Sequence, residues 1–246
     1  MNVCLADLHV HTALSPCADD AMTPPVIVGA ALTEGLGMIA VCDHNSARNV
    51  AAVQEVAGDH LVVLAGMEIT TVEECHVVGL FPDAAAAEAA GAEVGATLDT
   101  TDDGYETFFG EQRLLDAAGL ETGRETRALA TATALDVNAA VALVHRHGGL
   151  AVAAHIDRGS FGVIGQLGFF PAEAGFDAVE LSRHVPAGAE HEAEYAVYGL
   201  PVLRSSDAHF VRDVGAARTT VVCERPGFDE LALAVRGLDG RRIGDA

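Results

Sequence analysis

Val3-Cys4-Leu5-Ala6-Asp7-Leu8-His9-Val10-His11 opens the chain as a short apolar run that ends in a His-x-His pair. The arrangement recurs downstream. Met38-Ile39-Ala40-Val41-Cys42 leads into Asp43-His44, and Leu61-Val62-Val63-Leu64-Ala65 is followed by Glu68. His76 precedes Val77-Val78-Gly79-Leu80. Leu150-Ala151-Val152-Ala153-Ala154 ends at His155, and Pro201-Val202-Leu203 leads to Asp207-Ala208-His209. Apolar runs this short read as buried parallel strands. In a barrel of such strands the residues at the C-terminal ends converge on one mouth.

Working outward, strands are expected at 3–8, 38–42, 61–67, 75–81, 150–154, 177–181, 201–204 and 219–223. Helices are expected at 24–32, where Thr23 is the N-cap and two prolines open the first turn, and at 46–56, 83–96, 127–147, 161–167, 189–198 and 227–236. This alternation predicts an α/β fold, a closed or nearly closed and mainly parallel barrel, in a single domain over 1–246. Residues 97–126 are polar and hold no histidine, so they read as an insertion or lid after strand four, with a short hairpin.

A chain of 246 residues suits one barrel. Its apolar stretches are too short to span a membrane, and no basic segment followed by an apolar run opens it. Five cysteines without framework spacing read as reduced thiols, which implies a cytoplasmic protein. The net charge is −22, and all 14 basic residues are arginine. The absence of lysine excludes a Schiff-base lysine, a P-loop lysine and a lysine general base. The acidity argues against tight binding to long duplex nucleic acid, whose affinity comes from neutralised phosphates.

His9 and His11 share one face of an extended strand, because side chains alternate with a period of two. Two imidazoles so placed can grip one metal ion, and Asp207-x-His209 repeats the geometry near the other end of the chain. Taken in order, Asp7-Leu8-His9-Val10-His11-Thr12, Cys42-Asp43-His44, Gly66-Met67-Glu68, His76, Ala154-His155 and Ser206-Asp207-Ala208-His209 resemble the motifs of the PHP (polymerase and histidinol phosphatase) family. The resemblance spans roughly residues 3–223 and implies a distorted seven-stranded (β/α) barrel. It also implies two or three divalent metal ions, for which manganese, iron or zinc suit the donors, and phosphoesterase activity.

Carried over residue by residue, the resemblance assigns His9, His11 and Asp207 to a first ion, with Glu68 bridging to a second completed by His76 and His155. His44 and His209 take a third. One position departs from the family's pattern: where many members place an aspartate or histidine, this chain has Ser15-Pro16-Cys17-Ala18-Asp19-Asp20. Cys17 or Asp19 is the expected third donor, with Asp19 favoured because a thiolate would make the site sensitive to oxidation. Asp7 and Asp43 are expected either to orient imidazoles or to cap strand ends.

Lacking lysine, the chain must hold phosphate through arginine, and Arg158, Arg183 and Arg204 follow strand ends, as does His184. His145 and His147 fit a helix C-terminus, His60 a surface loop and His191 a solvated helix face. The expected chemistry is hydrolysis of a phosphate ester of a small molecule or short nucleotide by metal-activated water, with Glu68, Asp207 and His209 as the catalytic set and His209 protonating the leaving group. The competing readings are a metal-dependent amidohydrolase, against which the missing lysine counts, and a non-catalytic metal-binding PHP module.

Overall fold

The computed structural model describes residues 1–102, 104–188, 193–195 and 198–244. Among them the strands of the main sheet are β1 (Asn2–Val10), β2 (Met38–Val41), β3 (Val62–Thr70) and β4 (His76–Phe81), then β7 (Leu150–Ala153), β8 (Ala178–Leu181), β9 (Val202–Arg204), β10 (Thr219–Cys223) and β11 (Arg242–Ile243). β5 (Arg113–Leu115) and β6 (Glu121–Arg124) pair apart as a small hairpin. The sheet order is β11-β10-β1-β2-β3-β4-β7-β8-β9.

β1, β2 and β3 run parallel, as do β7, β8 and β9. β4 is antiparallel to both its neighbours. The short link from Thr70 to His76, closed where Thr71 N–H donates to the Cys75 carbonyl, is too brief for the crossover a parallel pair needs. The first residue of the reversed strand, His76, therefore lies at the same mouth as the C-terminal ends of the others. The two edges of the sheet meet beyond β9, where Ala208 bridges Val10 and His11 N–H donates to the Ala208 carbonyl at 3.0 Å. The result is a nearly closed α/β barrel in a single domain, with the antiparallel β10–β11 pair added outside β1.

Two apolar layers result. The outer layer joins the sheet to α1 (Pro24–Thr33), α2 (Val50–Ala57), α3 (Ala84–Gly95) and α5 (Val137–Arg146) through residues such as Ile27, Val50, Val53, Ala90 and Val141. The inner layer fills the barrel with Leu8, Met38, Leu64, Val78, Leu80, Leu150, Val152 and Leu203, and Leu231 of the helix Phe228–Val235 closes its lower end. Each such side chain, once buried, contributes about 1.5–3 kcal/mol.

Alternation along β1 breaks once. Ala6 and Leu8 belong to the inner layer, while Leu5 and Val10 face the outer one. Five positions separate those two outward residues, an odd count that strict alternation forbids. A bulge between Asp7 and Val10 supplies the extra residue.

The expected helix at 127–147 is shorter in fact. It begins only at Val137, where the Asp136 side chain accepts from Ala139 N–H at 2.7 Å. The preceding residues are tied to the insertion instead, as in the Thr100–Arg127 bridge. The 97–126 segment holds α4 (Tyr105–Phe109) and the β5–β6 hairpin. It packs beside the mouth: Arg113 N–H donates to the Ala13 carbonyl, and the Asn49 amide bonds Arg113 O and Leu115 N. The helix expected at 189–198, with His191 on it, falls largely outside the described residues. No helix among the described residues is long and apolar enough to cross a membrane.

Candidate metal centre

The bulge in β1 lets His9 and His11 enter the mouth together, and both are fully buried. Glu68 continues the inner face of β3 set by Leu64 and Gly66. Gly66 is required there, since a Cβ would stand 2.5 Å from Cys42 Sγ and 2.8 Å from the Val41 carbonyl. Close approach of β2 to β3 then carries His44 beside Glu68, through the bridge between these residues and the bond from Glu68 N–H to the Asp43 carbonyl at 3.0 Å. Asn45, His155 and Asp207 adopt left-handed backbone at φ 51°, 29° and 51°. Such conformations are unfavourable away from glycine and cluster where structure serves a site.

Glu68 is the centre of the arrangement. Its Oε1 lies 2.7 Å from His76 Nδ1, 3.1 Å from His155 Nε2 and 3.4 Å from His9 Nε2. Its Oε2 lies 3.0 Å from His44 Nδ1 and 3.5 Å from His11 Nε2. Asp207 Oδ1 stands 3.1 Å from His11 Nε2, and Oδ2 accepts from the Arg158 guanidinium at 2.7 Å. His9 Nε2 and His11 Nε2 face each other at 3.1 Å.

Neighbouring groups fix which nitrogen of each ring points inward. Glu180, on the inner face of β8, lies 3.1 and 3.2 Å from His9 Nδ1 and accepts its proton. Ser15 Oγ donates to Asp43 and accepts from His11 Nδ1 at 2.8 Å and from His44 N–H at 3.1 Å, which uses its full bonding capacity. His209 Nδ1 donates to the Asp207 carbonyl at 3.0 Å. The Nε2 lone pairs of His9, His11 and His209 are thus left for an inward ligand. Asp43 acts on His11 through Ser15. Asp7 touches no imidazole: it accepts from Ser206 N–H, Ser206 Oγ and Gly215 N–H, which pins the loop bearing Asp207.

The electrostatics keep the cluster's two carboxylates ionised. Burial opposes ionisation of Glu68, but His76, His9 and His44 hold its carboxyl well below the usual range. Burial likewise opposes Asp207, yet His9 and the bond from His11 hold it well below too. Two carboxylates are therefore anionic in a buried cavity, where unpaired charge is costly. Glu68 Oε2 and His44 Nδ1 are both buried and neither makes a well-formed hydrogen bond, although they approach to 3.0 Å. Two such atoms facing each other at 3.0 Å in a buried site form a pair that a metal ion would fit. Three donor groups have spacing suited to one: His9, His11, Glu68 and Asp207; His44, Glu68 and His76; and His11, His44 and His209. His11, His44 and Glu68 each belong to two groups, and His155 joins the second through Glu68 Oε1 and His76 Nδ1.

Cys17 is exposed as a residue, with its thiol hydrogen-bonded to His209 and His44. Burial of the sulfur raises its pKa, and these bonds outweigh that and bring it down to about 6. Asp19 instead accepts from Ala21 N–H at 2.9 Å and caps a turn. Of the four residues expected at substrate, Arg158 reaches the cluster. Arg183 pairs with Asp213, and Arg204 bonds the carbonyls of Val185 and Pro186. Both line a separate cavity of about 540 Å³ on the β9–β10 seam, and His184 is exposed. Sequence reasoning missed Glu180. Its signal is a lone carboxylate at an inward position of an otherwise apolar strand.

A family model described as PHP-associated matches residues 192–237. The 5'-3' exoribonuclease Rnm of Salmonella typhimurium is 36% identical over 85 residues, which cover 32% of this chain and 28% of that protein. The chain therefore matches little more than a quarter of this relative's length. Among solved structures, the lesion-specific endonuclease PfuEndoQ from Pyrococcus furiosus superposes with a TM-score of 0.72 at 17% identity, over 98% of this chain and 58% of that one. Endonuclease Q bound to a 27-mer duplex with an abasic lesion gives a TM-score of 0.68 at 16% identity, over 98% and 58%. A putative metal-dependent phosphoesterase from Bifidobacterium adolescentis gives 0.57 at 21%, over 83% and 87%. At these identities the structural likenesses show the barrel. With the family model, the Rnm match and the ordered His9 to His209 motifs, the comparisons lead to one conclusion: the chain is similar to proteins of the PHP (polymerase and histidinol phosphatase) family.

Proposed function

We propose that this chain is a metal-dependent phosphoesterase acting on phosphodiester bonds of nucleic acid. The observation that carries the reading is Glu68, whose two oxygens face five imidazoles at the barrel mouth, with Asp207 completing one donor group. His9, His11, Glu68 and Asp207 would hold one divalent ion, and Glu68, His76, His155 and His44 a second. His11, His44 and His209 with Cys17 frame a third. Imidazole and carboxylate donors suit manganese, iron or zinc. Such ions supply an activated water and offset charge on phosphoryl oxygens.

The expected small phosphorylated substrate, and the exclusion of long duplex nucleic acid, are corrected by the comparisons. Rnm is an exoribonuclease, and Endonuclease Q has been captured on a duplex. The charge argument failed because −22 is a sum over the whole chain. A phosphate meets the local field, and cations bound at the mouth would reverse that field.

The protein's own groups have distinct tasks. Arg158, one N–H committed to Asp207, directs its remaining donors toward a phosphoryl oxygen. His209, at the rim with its Nδ1 fixed, would serve as the acid for the leaving oxygen only when protonated with Nε2 free of a third ion; with that ion bound it is a ligand instead. Metal-reconstituted protein incubated with RNA and DNA oligonucleotides, single-stranded and duplex, tests the reading. Divalent-ion-dependent cleavage of at least one class is expected. A metal-loaded protein that cleaves none of them overturns it.

A further inference from the structure

Phe161 is an outlier on three counts. Its backbone is left-handed at φ 61°, which a bulky side chain rarely adopts. It is 43% exposed and takes no part in either apolar layer. Its ring stacks on the imidazole of His76, with centroids 4.6 Å apart and planes 21° from parallel.

The loop holds the ring there by backbone contacts. The Phe161 carbonyl accepts from His76 N–H at 2.8 Å. Gly162 sits so close to its surroundings that a Cβ would meet the Arg158 carbonyl at 2.5 Å, and at Gly165 a Cβ would meet the Gly159 carbonyl at 2.4 Å. Burial in the core does not explain the position, since the residue lies outside both apolar layers and keeps 43% of its surface exposed. The same loop carries Arg158, whose guanidinium contacts Asp207 in the donor cluster. One short segment thus sets a cation against Asp207 and an aromatic face against His76, two members of the same donor cluster. A phosphate joined to a flat base is the ligand class that uses both.

We infer that Phe161 is a stacking platform for an unpaired nucleobase of the nucleotide whose phosphate enters the site. Every base has a π-face, so such a platform binds without strong sequence preference. It also gives an acidic chain a means of holding nucleic acid that does not draw on surface charge. This inference rests on the functional reading above and names the part of the substrate the loop recognises.

The test compares wild-type protein with Phe161→Ala, Phe161→Leu and Phe161→Tyr, all metal-reconstituted. The probes are short phosphorylated oligonucleotides, RNA and DNA, that carry either a normal base or an abasic sugar at the cleaved nucleotide. The ratio of kcat/KM for base-bearing over abasic substrate is expected to fall about 5- to 150-fold in Phe161→Ala, mainly through KM. Phe161→Leu falls in the same direction, and Phe161→Tyr restores the ratio. Metal content measured alongside reports on His76. An equal loss on both substrates, with reduced metal, means the ring only supports His76 and overturns the inference. An unchanged ratio in every variant overturns it as well and leaves the functional reading standing. Wild-type protein that is metal-loaded yet cleaves no oligonucleotide removes that reading first, and the inference with it.

Discussion

Glu180 reaches from β8 to take the Nδ1 proton of His9, 3.1 Å away, so that His9 Nε2 turns toward Glu68 and Asp207. The same carboxylate accepts from His155 N–H at 3.2 Å, where the backbone turns left-handed. One buried side chain therefore orients two of the expected ligands. Glu180→Gln is predicted to weaken metal affinity about 10- to 100-fold with the fold retained. Competition against a chromogenic chelator measures it, and unchanged affinity would remove Glu180 from that task.

Asp7 satisfies three donors of the Ser206–Gly215 loop and is itself fully buried. Asp7→Ala leaves the N–H groups of Ser206 and Gly215 without partners, at about 1–3 kcal/mol each. The variant is expected to unfold at lower denaturant and to bind metal poorly, because Asp207 lies on that loop. A denaturation midpoint equal to that of wild type would show that other groups hold the loop.

Much of this was legible in the sequence, for a physical reason. Ligands at strand ends leave a signature of an apolar run followed by a polar donor, and His9, His11, His44, Glu68, His155 and Asp207 all carry it. The reversed direction of β4 was legible in principle, since the gap between Glu68 and Cys75 is too short for a crossover. The β1 bulge was not, because one extra residue leaves no mark on a nine-residue run. Glu180 was passed over because the expected strand at 177–181 drew attention to its apolar residues. The helix at 127–147 was drawn too long because alanine-rich composition masked the Asp136 cap. Net charge is a poor guide to the ligand because it averages over the whole chain rather than the site.

Cys17 offers a chemical handle on the third donor group. In metal-free protein its thiol, brought down to about 6 by His209 and His44 against the effect of burial, is mostly thiolate at neutral pH. An ordinary thiol near pKa 8.5 is not. Alkylation by iodoacetamide, followed by mass spectrometry, is expected to rise with pH through a midpoint near about 6 and to slow once metal is added. A midpoint in the ordinary thiol range, or no protection by metal, would separate Cys17 from the histidines.

Asp19 and Cys17 also predict different outcomes on substitution. Asp19→Asn removes a charge but keeps an oxygen to accept the exposed turn bond from Ala21 N–H, and is expected to change metal content little. Cys17→Ser is expected to lower the occupancy of the His11, His44 and His209 group. In cobalt-substituted protein it should also abolish a thiolate charge-transfer band in the near ultraviolet. Loss of metal in Asp19→Asn with none in Cys17→Ser would reverse this assignment.

The measurement closest to the central claim is the metal content of the purified chain, wild type beside Glu68→Gln, after reconstitution with manganese, iron or zinc. A bridging carboxylate needs both charged oxygens to hold two cations, and an amide cannot replace them. Two or more ions per chain in the wild type, with clear loss of metal in a folded Glu68→Gln protein, is the result this account predicts. Less than one ion per chain in the wild type, or equal metal content in the two proteins, would contradict it.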